Sequence, residues 1–391
     1  MIGTGLMTYA ISFLMWTGAD GQAVSEVVVL DGPEVQHLRD ALNRVTCPFR
    51  STAKLDSRAL AGCQVLVLSG TKPPLVSKDA KTIEQFVQSG GAVLAIGGGA
   101  AWMIEQELFA AEGYYPSGTT IHHSSFHGYN RLTFGYPGAE PEDNWTAGVP
   151  MLLRATEGPL MELGPQATSI LGCGGPYSIA AFQRIGDGLV LMIGADPQGG
   201  NAYHSLNKPT LTPGDRLKTD RLLASAIAYL RDRDCNIVPN SGFEENTELP
   251  PVQSNWQITL RGRATNEWRH DDAPDGDIFL RIVCPQKTSS ASVEPYRPLV
   301  VERGAKYRLA CLYKSSIPWT LDFQQLTGTP SNPNRQTAPS ISVPASDDWK
   351  QWQAQLLIPE SVSYAKPILI IRDAGELCLD KLTVQRLSQS N

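Results

Sequence analysis

The chain has 391 residues, 42% hydrophobic and 18% charged, with 35 Gly, 28 Pro and a net charge of −6. This length predicts two domains, and this apolar content supplies packed cores, which excludes disorder over most of the chain. The acidic balance, with no Lys or Arg between residues 82 and 130, excludes phosphate-backbone binding, so no nucleic-acid partner is expected.

Leu6 to Trp16 is an apolar run too short to span a bilayer, followed by small and polar residues up to Ala23. This reads as a signal peptide over residues 1–23 that lacks a basic start, with a buried first helix as the competing reading. The first reading implies a secreted or periplasmic protein. No later segment is long enough and apolar enough for a membrane span. Seven cysteines stand at 47, 63, 173, 235, 284, 311 and 378, none with C-x-x-C spacing. In an exported protein, Cys47–Cys63 and Cys311–Cys378 are candidate disulfides; otherwise the thiols are small buried hydrophobes.

Residues 25–234 alternate between strand and helix signals. Val27–Leu30, Val65–Leu68 and Ala92–Ile96 are apolar strands. Val35, Leu38, Ala41, Leu42 and Val45 mark a helix face. Ile83, Phe86 and Val87 mark another, closed by Gly90-Gly91. A helix is expected from Ala100 to Phe109, a hairpin around Ile185-Gly186-Asp187-Gly188, and a closing helix over Leu217–Arg231. This is α/β grammar, predicting a parallel sheet covered on both faces. Ligands of such sheets sit in the loops after strands, here 31–33, 69–75, 97–99 and 194–204.

The order of elements, and Ser89-Gly90-Gly91-Ala92-Val93-Leu94-Ala95-Ile96-Gly97-Gly98-Gly99 above all, resembles the class I glutamine amidotransferase-like fold, a flavodoxin-like domain. The subgroup of biotin-protein-ligase N-terminal domains is the most similar. The resemblance implies a nucleophile elbow at Ala95–Gly99, with Gly97 in the thiol's place. The family's His-Pro-Glu is matched by Asp196-Pro197-Gln198. With nucleophile, base and orienting carboxylate replaced by Gly97, Asp196 and Gln198, glutamine hydrolysis cannot run. The Gly97, Gly98 and Gly99 amides remain a candidate anion or sugar-hydroxyl site, or a mere scaffold turn. No G-x-G-x-x-G occurs, and no nucleotide or redox cofactor is expected.

His122, His123 and His127 cluster within six residues, with Ser124 and Ser125 among them and His204 further on. They suit a metal, hydroxyl activation or a solvated loop. With Asp196, they could form a polar pocket over Gly97–Gly99, the one candidate for a glycan-acting hydrolase. Asn144-Trp145-Thr146 is a glycosylation sequon, relevant only in a eukaryotic secretory pathway.

From residue 236 the pattern turns all-β, with strand runs at Ile278–Val283, Tyr307–Tyr313, Trp352–Ile358, Pro367–Ile371 and Leu377–Val384, predicting a two-sheet sandwich. Asn236-Ile237-Val238-Pro239-Asn240-Ser241-Gly242-Phe243-Glu244 resembles the start of the cenC-like carbohydrate-binding modules of the galactose-binding jelly-roll group. Gly276–Ile282, Gly304–Leu309, Trp349 and Leu379–Val384 match in the family's order. The resemblance implies a structural calcium held by Glu244 and Asp380, and core positions for Trp256 and Trp349. Trp268, beside Arg269 and His270, and Trp319 are the candidates for sugar stacking, with Tyr296 and Arg297 behind them.

The expectation is therefore an exported, non-catalytic protein that binds a polysaccharide or other glycan. A glycan hydrolase and a protein–protein assembly module are the alternatives, and the oligomeric state is open.

Overall fold

The computed structural model describes residues 26–32, 35–44, 47–70, 75–114, 120–126, 151–155, 158–172, 176–195, 213–231, 236–238, 241–243, 255–329, 332–337 and 340–387. The α/β region runs β1 (Val27–Leu30), α1 (Gln36–Arg44), β2 (Arg50–Thr52), α2 (Ser57–Leu60), β3 (Val65–Leu68), α3 (Ser77–Gln88), β4 (Ala92–Ile96) and α4 (Gly98–Glu105). It continues with β5 (Ala111–Tyr114), β6 (Thr120–Phe126), β7 (Met151–Ala155), β8 (Leu160–Leu163), β9 (Ala167–Gly172), β10 (Tyr177–Ile185), β11 (Gly188–Ile193) and α5 (Pro213–Arg231).

Strands β2-β1-β3-β4-β11 pair in parallel in that order. Every residue of β1, β3, β4 and β11 is buried, as continuous apolar runs require when helices cover both faces. One face packs Leu38, Ala41 and Leu42 of α1 and Leu223 and Ile227 of α5 against Val27, Val65 and Leu94. The other packs Ile83 and Val87 of α3 and Ala100 and Met103 of α4 against Val28, Leu66 and Val93.

The sheet is mixed, not purely parallel as expected. The Gly186 turn (φ 59°) reverses the chain, so β10 returns antiparallel to β11, and β9, β6 and β7 extend the sheet antiparallel. That hairpin sits against the end of α3, where a Cβ on Gly186 would lie 2.8 Å from the Gln88 carbonyl. Helix α4 starts two residues before the expected Ala100, because Gly98 and Gly99 already take helical geometry, and it stops at Glu105 before Glu107 turns to φ 58°.

The second region carries β12 (Trp256–Arg261), β13 (Thr265–Arg269), β14 (Phe279–Cys284), β15 (Ser290–Pro295), β16 (Leu299–Val300) and β17 (Lys306–Ser315). It then carries β18 (Trp319–Thr329), β19 (Asn332–Thr337), β20 (Ile341–Val343), β21 (Ser346–Leu357), β22 (Tyr364–Ile371) and β23 (Gly375–Arg386). They form two antiparallel sheets: β12-β15-β22-β18-β19, with β16 and β20 attached, and β13-β14-β23-β17-β21. Trp256, Leu280, Val293, Leu309, Phe323, Leu369 and Leu379 fill the space between them. Burying each such side chain contributes about 1.5–3 kcal/mol.

The two regions share a seam. Val300, Leu326 and Tyr364 of the sandwich join the core cluster of α1, α5 and β9–β11. The Tyr364 hydroxyl donates to the Ser169 carbonyl at 3.0 Å, and the Tyr229 hydroxyl donates to Glu302 Oε1 at 3.2 Å.

Neither expected disulfide forms. Cys47, Cys63, Cys284, Cys311 and Cys378 are free thiols. Cys47 packs on the α1/α5 face of the sheet and Cys63 on the α3/α4 face, so the sheet itself separates them. Cys311 faces the sandwich core, whereas Cys378 pairs with Arg281 and Lys314 on the outer face.

Candidate functional site

The turn expected to form an elbow runs through three consecutive glycines from β4 into α4. Gly97 joins β4 to α4 at φ 56° and ψ −118°, a combination that L residues occupy only under strain. Its N–H is spent on the Ile193 carbonyl at 2.9 Å. Gly97, Gly98 and Gly99 are all buried. A Cβ on Gly158 would run into the Gly194 carbonyl and lie 2.8 Å from Gly97 Cα. Three glycine backbones thus close the space beside the elbow. Asp196, Gln198, His127 and His204 lie outside the described residues, as does Asn144. His122 and His123 are not in a loop: they stand in β6, paired with Leu153 and Leu152 of β7. Among the described residues no group of three or more His, Cys, Asp and Glu could hold a metal.

In the sandwich, the expected stacking residues are mostly part of the packing. Trp319 is 2% exposed and stands edge-on to Tyr313 (5.6 Å) and Trp352 (6.1 Å), so no face is left for a sugar. Trp268 pairs with the core residue Leu280 and packs on Phe243 at 5.7 Å. Tyr296 and Arg297 are half-buried beyond β15, away from the face described next. Trp256 is buried in the core, as its position implies. Asp380 is 0% exposed, and its Oδ2 accepts the Asp275 N–H at 3.0 Å. Glu244 lies outside the described residues.

The polar face is the outer side of the five-stranded sheet, and strand register builds it. Leu280, Ile282 and Cys284 of β14 point into the core, so Phe279 and Arg281 point out. Arg281 pairs with Glu267 on β13 and with Cys378 on β23, which pairs in turn with Lys314 on β17. Arg281 ion-pairs with Glu267 and, at 2.6 Å, with Glu376. Its hydrogen bond holds the Glu376 carboxyl below the usual carboxylate range. Arg269 engages Asp271, holding that carboxyl at about 2, and lies 3.5 Å from Glu267.

Trp349, expected in the core, belongs to this face. Between the pairs Tyr313↔Lys350 and Ser315↔Ser346, β21 carries Asp347, Asp348 and Trp349 opposite Lys314 alone. Such a bulge leaves the extra residues without partners on the facing strand. The half-buried Trp349 stands edge-on to Phe279 at 5.3 Å. Below this aromatic pair the face opens. Exposed Gln351, Gln353 and Gln355 alternate along β21 beside Leu312, Ala310 and Arg308 of β17. Arg308 Nη2 donates to Gln385 Oε1 at 2.6 Å, and Leu357, opposite Lys306, is 62% exposed. Amides, one guanidinium and small apolar surfaces can hold hydroxyls and C–H groups together. Glu267 and Glu376 are both ion-paired with Arg281.

The expectation that Trp349 is core comes from its place in the family resemblance; alternation from the core-packed Trp352, three positions on, puts it on the opposite, outer face.

No protein-family model and no curated protein matches this chain. Solved structures resemble part of it. Family 16 Carbohydrate Binding Module-2 is similar over 38% of this chain and 99% of its own, at 14% identity and a TM-score of 0.29. TmCBM61, solved in complex with beta-1,4-galactotriose, is similar over 39% and 99%, at 16% identity and a TM-score of 0.29. The enzymatically active domain of the bacteriophage CBA120 tailspike protein 4 is similar over 39% of this chain, at 16% identity and a TM-score of 0.33. The chain spans about a fifth (21%) of that tailspike domain. Among the described residues no helix is long and apolar enough to cross a membrane.

Proposed function

We propose that this is an exported carbohydrate-binding protein whose sandwich, residues 236–391, is a jelly-roll module taking a glycan across the outer face of its five-stranded sheet. The observation that carries the reading is Trp349, standing against Phe279 on a face lined with exposed glutamines. An aromatic ring beside a row of amides supplies both halves of sugar recognition, C–H contact and hydroxyl hydrogen bonds.

The α/β region, residues 25–234, is on this reading an amidotransferase-like scaffold without glutamine-hydrolysing chemistry. The parallel order β2-β1-β3-β4-β11 supports a flavodoxin-like domain. The strained elbow supports the likeness, and glycine at its apex supports the absence of a nucleophile. A structural calcium belongs to the same proposal. Asp380 offers a fully buried carboxylate, the hard oxygen donor that calcium prefers, and Glu244 would be its second carboxylate.

The test is native affinity electrophoresis of the full chain through gels containing soluble polysaccharides. Retardation by at least one polymer, lost in Trp349→Ala but kept in Trp268→Phe, is expected. Retardation by none, or unchanged retardation of Trp349→Ala, overturns the reading.

A further inference from the structure

Charge is divided unevenly over the outer face. In its upper half, Arg269 and Arg281 are each matched by carboxylates: Asp271, Glu267 and Glu376. Lys314, beside Cys378, also sits in the field of Glu376, and its charge helps hold that carboxyl down. Below Trp349 the pattern changes. The first outward row, Asp380–Leu312–Gln351, holds one carboxylate, Asp380, which is 0% exposed. The next rows are Thr383–Ala310–Gln353, then Gln385–Arg308–Gln355, then Lys306–Leu357, and these contain two cations and no carboxylate. The carboxylate beyond the strand end, Glu360, sits over the Gly304 turn.

Arg308 and Lys306 are two residues apart on one strand, hence on one face and about 6.8 Å apart along it. Gln385 takes one donor of Arg308. A guanidinium has five donors in a fixed fork that fits a carboxylate or sulfate bidentately. This positive lane lies on a chain of net charge −6, so it is a local feature and not part of a generally basic surface.

We infer that the glycan held by this face is anionic, with carboxylate or sulfate groups meeting Arg308 and Lys306 while Trp349 takes a sugar ring at the upper end. The inference rests on the reading of the face as a glycan platform. It excludes a purely neutral glucan or xylan as the preferred ligand, because such a polymer would leave both cations without anionic partners.

The experiment uses the full chain and three acidic polymers, polygalacturonate, alginate and a sulfated galactan. Each is set beside its esterified or desulfated counterpart, with polyglutamate as a sugar-free polyanion. At least one acidic polymer binds more tightly than its neutralised form, by about tenfold or more, as expected for charge-assisted hydrogen bonds. The preference shrinks with added salt and disappears in Arg308→Gln/Lys306→Gln. Equal binding of the acidic and neutralised forms, or a double variant that keeps the preference, overturns the anionic ligand and leaves the glycan platform standing. Equal binding of polyglutamate overturns it too, since charge alone would then suffice. Binding to no polymer, acidic or neutral, overturns the platform itself.

Discussion

Arg386 Nε donates to Glu302 Oε2 at 2.8 Å, with the two side chains 7% and 1% exposed. The pair sits where the two regions meet. Tyr229, from α5 of the α/β region, donates to the other oxygen of Glu302, and the Tyr307 hydroxyl accepts the Glu302 N–H at 2.9 Å. A carboxylate of the sandwich thus gathers partners from both regions. Around it, Tyr364 reaches the Ser169 carbonyl, and Thr168 meets Ser363 at 3.4 Å. The five-stranded sheet is therefore tied to the α/β region, since β23 contributes both Arg386 to the seam and Glu376 to the outer face.

Breaking this pair from one side leaves an uncompensated buried charge. Arg386→Met is expected to cost about 3–5 kcal/mol, and replacing both partners, Glu302→Leu with Arg386→Met, to recover most of that loss. Urea denaturation monitored by tryptophan fluorescence measures both. A double variant no more stable than the single one would mean that the loss comes from packing and not from charge. Wild-type protein is expected to unfold in one calorimetric transition, because the seam couples both cores.

The elbow makes a separate prediction. Gly158→Ala drives a methyl group into the Gly194 carbonyl and against Gly97. The backbone must move, and a loss above about 2 kcal/mol is expected. Gly90 also has positive φ (102°), but a Cβ there meets nothing within 4 Å. Gly90→Ala is expected to lose only the backbone strain, about 1 kcal/mol. Thermal melts of the two variants compare them directly, and equal losses would mean that the Gly158 contact relaxes without cost.

Thiol chemistry follows burial. Burial pushes Cys311 and Cys378 up to about 12, whereas Cys63 rises to about 11 and is only half-buried. Titration of the native protein with an aromatic disulfide reagent at pH 8 should label Cys47 and Cys63 before Cys284, Cys311 and Cys378, with peptide mapping to assign the order. Cys311 reacting as early as Cys63 would show that the sandwich opens without global unfolding.

The apolar runs Val27–Leu30, Val65–Leu68 and Ala92–Ile96 announced their strands because a doubly covered strand must be hydrophobic at every position. β2, with Arg50-Ser51-Thr52 at a half-exposed edge, carries no such demand and left no trace in the pattern. The Gly97 elbow was legible because its backbone angles select glycine. The outward tryptophan was not, because tryptophan serves core and surface equally well: Trp319 went inside, and Trp349 stands outward where three residues of β21 oppose one of β17. Ion pairs such as Arg281 with Glu376, 95 residues apart, depend on strand register, which local sequence does not contain.

That ion pair has a pH signature. Arg281 hydrogen-bonds the Glu376 carboxylate, and a bond from the Cys378 thiol adds to the effect, so Glu376 titrates below its unfolded value of about 4.3. A depressed folded pKa stabilises the native state above the unfolded pKa, and that contribution fades as pH falls through the folded value. Glu376 is 36% exposed, so solvent screening limits the contribution to about 0.5 kcal/mol. Glu376→Gln should therefore be slightly less stable than wild type at pH 7. The difference should stay constant down to about pH 5.5, then shrink below about 4.3 as the wild-type carboxyl takes up its proton. Melting temperatures of the two proteins between pH 3 and 7 measure this. A difference that persists unchanged at pH 3 would assign the loss to side-chain packing, with no contribution from the Arg281 charge.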